Sequence, residues 1–165
     1  MKKLILIIAL IAALIPTSLW AAAGSCTQAV TDTWLDNRYV AFRTLTFVCT
    51  SGSAGEGYPS TAVSAANMSL ITGWLLMNGS TLNGNPGPTA SSIITLSTTT
   101  EDNILGGAGK TPPAATAALA NKFTPITDTL NGVFGEVPII GDLTLAITGN
   151  LVNSAVTTIV LKFKK

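Results

Sequence analysis

Arg43-Thr44-Leu45-Thr46-Phe47-Val48-Cys49-Thr50 is the stretch from which the fold is read. Successive side chains of an extended chain point to opposite sides, so Leu45, Phe47 and Cys49 share one face and threonines mostly take the other. Threonine, valine and phenylalanine suit a pleated surface with one side buried. The stretch therefore predicts a half-buried β-strand. Downstream, residues 51–60 carry Gly52, Gly55, Gly57 and Pro59, which predicts a surface loop.

The same period of two recurs toward the C-terminus. In Asp142-Leu143-Thr144-Leu145-Ala146-Ile147-Thr148 the core side is expected to hold Leu143, Leu145 and Ile147. In Ala155 to Lys164, Thr157, Ile159, Leu161 and Phe163 take one face while Lys162 and Lys164 take the other. Two adjacent strands this regular predict a hairpin. Ser92 to Leu96 starts a further strand, broken at Glu101-Asp102-Asn103. Ser69 to Met77 is apolar on both faces, which fits either a central strand or a buried helical turn; Trp74, Leu75, Leu76 and Met77 favour a strand covered from both sides. Asn78-Gly79 and Asn83-Gly84 are turn signals, because both residue types tolerate positive φ. Only Pro112 to Lys122 has helical character: two prolines can open a helix and Ala114 to Ala120 is alanine-rich. Several strands with turns between them and little helix predict an all-β protein. The expected form is a single β-sandwich, jelly-roll-like, with one short helical segment near 113–122.

The N-terminus has a different grammar. Met1-Lys2-Lys3 is a basic start, Leu4 to Ile15 an apolar run, and Ala21-Ala22-Ala23 a small-residue site. That order describes a signal peptide, with cleavage expected after Ala23. The run is short for a spanning helix, which needs about 20 apolar residues. The expected organisation is a signal peptide over 1–23 and one β-sandwich domain over 24–165, secreted, periplasmic or on the cell surface. In an oxidising compartment the two cysteines, Cys26 and Cys49, are expected to form one disulfide. The alternative is a lipid on Cys26, which would leave Cys49 unpaired; Ala23-Gly24-Ser25 is a poor match to the triplet that precedes such a cysteine.

Charge excludes some partners. The chain carries nine Lys and Arg against eight Asp and Glu. Without Lys2 and Lys3 the balance is seven to eight, which supplies no footprint for nucleic acid, nor for a membrane beyond the leader. Charged residues are only 10% of the chain, so Ser, Thr, Asn and Gly must build the surface.

Catalytic chemistry finds little support. Histidine is absent, which removes the commonest general base and metal ligand. Gly106-Gly107-Ala108-Gly109-Lys110-Thr111 suggests a phosphate loop, but Ile104 stands where the first glycine is required and Pro112-Pro113 follows where a helix should start. Asp32 and Asp36 at helical spacing, or Glu101 and Asp102, could serve as paired carboxylates in a hydrolase; a solvated surface role is the plainer reading. Glu101, Asp102 and Asn103 could similarly offer oxygens to calcium, though without the alternation of a known loop. Among the aromatic residues Trp34, Tyr39, Tyr58 and Trp74, the first and third lie in polar stretches. Trp34 and Tyr58 are the candidates for stacking on a sugar, whereas Trp74 is expected in the core. No cofactor and no catalytic residue is assigned.

Three segments in order carry a resemblance. They are Leu45 to Thr50 with its Gly/Pro loop, Ile94-Thr95-Leu96 leading to Ile104-Leu105-Gly106-Gly107-Ala108-Gly109, and Gly141-Asp142-Leu143-Thr144-Leu145 running through Val152-Asn153-Ser154-Ala155-Val156 to Val160-Leu161. Together they resemble small uncharacterised β-sandwich proteins encoded by tailed phages and prophages, here with a signal peptide added. The resemblance implies a virion-component type of sandwich with no catalytic residues. The expected function is that of an exported non-enzymatic structural or interaction module, partnered by itself or by another surface or virion protein. A carbohydrate-binding module and a secreted hydrolase with paired carboxylates are the alternatives.

Overall fold

The computed structural model describes residues 23–35, 39–53, 57–90, 92–99, 103–105, 120–128 and 133–165. They form a β-sandwich in which every strand pairing is antiparallel. The larger sheet runs β1 (Ser25–Leu35), β2 (Tyr39–Thr50), β11 (Val156–Lys164), β4 (Leu75–Asn83), β6 (Ala120–Phe123), with β9 (Val137–Pro138) also on β4. The smaller sheet is β3 (Thr61–Ala62), β10 (Leu143–Thr148) and β5 (Ile93–Thr98); β7 (Ile126–Asp128) and β8 (Val133–Phe134) form a separate ribbon.

The core is where the alternating patterns meet. Leu45, Phe47 and Cys49 of β2 and Ile159, Leu161 and Phe163 of β11 are buried as the period of two requires. Register aligns them in pairs, Leu45 with Leu161, Phe47 with Ile159 and Cys49 with Thr157. The smaller sheet answers with Ile94 and Leu96 from β5 and Leu143, Leu145 and Ile147 from β10, all in the same apolar cluster.

The two C-terminal strands do not form the expected hairpin. β10 pairs with β3 and β5, and β11 pairs with β2 and β4, so they lie in opposite sheets. Residues 149–155 cross from one layer to the other. Polar side chains hold that crossing: Asn150 Oδ1 accepts from the Thr89 and Val152 amides at 3.0 and 3.1 Å. Ser51 Oγ donates to the Val152 carbonyl at 2.8 Å and accepts from the Ala155 amide at 2.9 Å. A cross-layer connection lets both strands bury their apolar faces against each other, which a hairpin within one sheet would not.

Residues 69–77 divide between the two readings, helix first and strand after. They contain the end of a helix, α1 (Ala65–Ile71), a turn and the start of β4. Ser64 caps α1 by accepting from the Asn67 amide at 3.3 Å. Its buried residues, Met68 and Ile71, are three apart and so share one face. Gly73, at φ +78°, supplies the left-handed residue after the helix. Asn78-Gly79 is no turn but lies inside β4. A Cβ on Gly79 would come within 2.2 Å of the Phe123 ring, so the glycine is there to let β6 approach. Asn83-Gly84 does end a strand, as read. Of the helix expected at 113–122, residues 113–119 lie outside the described residues and Ala120–Lys122 are strand β6.

Cys26 and Cys49 are opposite each other in the β1–β2 register and form a disulfide, with Cα atoms 4.0 Å apart. A sulfur so bonded cannot also carry a lipid, which removes that alternative. β1 itself has a weak apolar signature, because its inner face mixes Cys26 and Val30 with Gln28 and Asp32. Gln28 spans the layers: its amide donates to the Ala62 carbonyl at 3.0 Å and its oxygen accepts from the Ser64 amide at 2.9 Å. Among the described residues no helix is long and apolar enough to cross a membrane.

Candidate functional site

The sequence-based site residues are not brought together. Trp34 near the end of β1 is 56% exposed and presents its ring to solvent, whereas Tyr58 is only 8% exposed and packs in the core. A buried ring offers no face to a sugar, so of the two stacking candidates only Trp34 is positioned for that role. Trp74 is buried, as its apolar surroundings in the sequence imply.

Tyr58 has a distinct consequence. Its hydroxyl is buried with no hydrogen-bond partner among the described residues, and burial pushes the phenol well above its ordinary range. An unpartnered buried hydroxyl costs about 1–3 kcal/mol. Tyr58→Phe is therefore expected to raise the unfolding free energy at pH 7 by about 1 kcal/mol. A folded-state pKa above the unfolded value means that the unfolded chain loses its proton first. Wild-type stability from this group is intact below about pH 10 and declines as pH rises further. Urea titrations between pH 7 and 11 are expected to show the gap between Tyr58→Phe and wild type widening above pH 10.

Of the carboxylates read as possible catalytic pairs, only Asp32 lies among the described residues. Asp32 is on a strand, not at helical spacing, and its Oδ1 accepts from Arg43 Nε at 2.9 Å. Arg43 also lies over the Trp74 ring, 4.6 Å from its centre, and donates to the Leu70 carbonyl. Asp32 is thus committed to an arginine that ties β1 and β2 to the end of α1. Asp36, Glu101 and Asp102 lie outside the described residues, as does the glycine-rich 106–111 segment. Asn103 turns its Oδ1 to the backbone amides of Leu105 and Leu96, at 3.1 and 3.4 Å. Among the described residues no three potential metal ligands converge.

Two surface features were missed by reading the sequence. The first is the free edge of the larger sheet. β1 has a neighbour on one side only among the described residues. The 4.0 Å separation of Cys26 and Cys49 marks a non-hydrogen-bonded pair. The even-numbered residues Gln28, Val30 and Asp32 therefore direct their backbone N–H and C=O groups away from β2, toward the open side. The second is a cleft of about 420 Å³ on the opposite side of that sheet, walled by Asn78, Ser80, Lys122, Thr124 and Lys162. Among known proteins, no family model, no curated protein and no solved structure matches this chain.

Proposed function

We propose that the chain is an exported, non-enzymatic interaction module that assembles with a second copy of itself through the free edge of β1. The observation that carries this reading is an 11-residue strand that, among the described residues, is bonded on one side only. Such an edge is a template for another strand unless charge, proline or a cover blunts it. β1 has no proline and no lysine, and its one charged residue, Asp32, is engaged by Arg43 of the same molecule.

The sequence of β1 is compatible with pairing to itself. An antiparallel dyad at Val30 sets Gln28 against Asp32, Ala29 against Thr31 and Thr27 against Thr33. No like charges meet, and the threonine pair is one that stabilises antiparallel ladders. The even-numbered residues whose backbone groups point outward then bond one another. Such an interface is isologous, the commonest form of homodimer. The disulfide supports export, since such bonds persist in oxidising compartments.

Light scattering coupled to size exclusion, on residues 24–165 produced oxidised, tests the reading. A dimer is expected for the wild type. Val30→Pro removes an outward N–H without touching the β1–β2 ladder, and is expected to give a folded monomer. A wild type that stays monomeric at 100 μM (a concentration on the order of weak interfaces) overturns self-assembly. So does a Val30→Pro variant that dimerises like the parent.

A further inference from the structure

The cleft on β4, β6 and β11 is built from residues distant in sequence. Lys122 of β6 is opposite Ser80 of β4, and Lys162 of β11 is opposite Asn78 of β4. β4 lies between the other two, so the lysines stand two strand spacings apart across the sheet and two residues apart along it, roughly 12 Å between their Cα atoms. Their chain neighbours Phe123, Leu161 and Phe163 are buried, which by alternation turns both lysines to the outer face. Lys164, further along β11, pairs with Glu136 at 2.7 Å. Lys122 and Lys162 have no carboxylate partner among the described residues.

We propose that this cleft binds an anionic saccharide, a sugar acid or sulfated sugar whose charged group sits between Lys122 and Lys162. Two cations flanking a concavity favour one negative group between them, since each ammonium offers three donors and no acceptor. Between and beside them stand Asn78, Ser80 and Thr124, which can both donate and accept. Neutral groups of that kind match the hydroxyls of a sugar ring. A volume of about 420 Å³ falls in the range of small-molecule sites and exceeds what a single inorganic anion fills. This is a different place from Trp34 and requires no stacking.

The test is isothermal titration calorimetry on residues 24–165 with three probes: oligogalacturonate, its neutral methyl-esterified counterpart, and sodium sulfate. Oligogalacturonate is expected to bind, with the affinity falling at least tenfold between 50 and 500 mM NaCl because the lysine contacts are screened. The Lys122→Ala/Lys162→Ala double variant is expected to bind at least tenfold more weakly, while Lys165→Ala binds as the wild type does. Both lysines are exposed, so the double variant is expected to keep the parent's circular dichroism spectrum and melting temperature. Equal binding of the neutral oligosaccharide overturns the proposal, as does undiminished binding by the double variant or no binding of oligogalacturonate at millimolar concentration. Sulfate binding as tightly as oligogalacturonate overturns the saccharide assignment in favour of a simple anion site. β1 forms the other side of the sheet, so Val30→Pro is expected to leave this binding unchanged, whichever way the assembly experiment ends.

Discussion

Phe47→Ala is expected to lower the unfolding free energy by about 3–5 kcal/mol, the range for truncating a large buried aromatic side chain. Phe47 is completely buried, in the middle of the second strand of the larger sheet, with Ile159 beside it on β11 and Gln28 on β1. Those neighbours are held by ladders on both sides of β2, so the site cannot collapse around the missing ring. Domains of this size are typically stable by about 5–15 kcal/mol in total, and the loss would take a large share of that. Urea unfolding followed by tryptophan fluorescence checks it, with the midpoint shifted and the slope unchanged. A loss below about 1 kcal/mol would mean that Phe47 does not sit between two packed sheets.

Removing the disulfide is the second large effect. Cys26 and Cys49 are 23 residues apart, and opening a loop of that length costs about 3 kcal/mol in the chain-entropy model. Bond loss acts through the unfolded chain, which gains freedom, more than through contacts in the folded one. Cys26→Ala/Cys49→Ala is expected to melt roughly 10 °C below the parent while retaining its β-sheet circular dichroism. Treating the parent with reductant after partial unfolding is expected to reproduce the same lowered midpoint. A double variant melting within a degree or two of the parent would show that β1 is held by its ladder and by Gln28 alone.

Whether a strand exists and which side it buries was legible in particular residues. Leu45-Phe47-Cys49, Leu143-Leu145-Ile147 and Ile159-Leu161-Phe163 each bury the side that alternation assigns to the core. The sandwich class and the Cys26–Cys49 bond follow from the same reading. Less legible was α1, because seven residues are too few for a helical period to stand out beside the apolar start of β4. Asn78-Gly79 misled for a related reason: glycine serves both turns and close approaches, and only the Phe123 ring distinguishes them.

The surface sites lay further from reach. Lys162 could be placed on an outer face from the pattern of β11, but Lys122 falls at the end of an alanine-rich run that reads as helix. Nothing local announces that β4 will sit between them. Trp34 and Tyr58 stand in similarly polar surroundings, yet one is exposed and the other buried. The amino-acid sequence by itself determined the strand segments, their buried sides and the covalent link, because alternation and residue chemistry are properties of a few consecutive positions. Tertiary structure alone decided that β10 and β11 part into opposite sheets, that β1 is an edge among the described residues and that Lys122 and Lys162 flank β4 on one face. Strand pairing joins residues tens of positions apart, and its outcome depends on which pairing buries the most apolar surface over the whole chain at once.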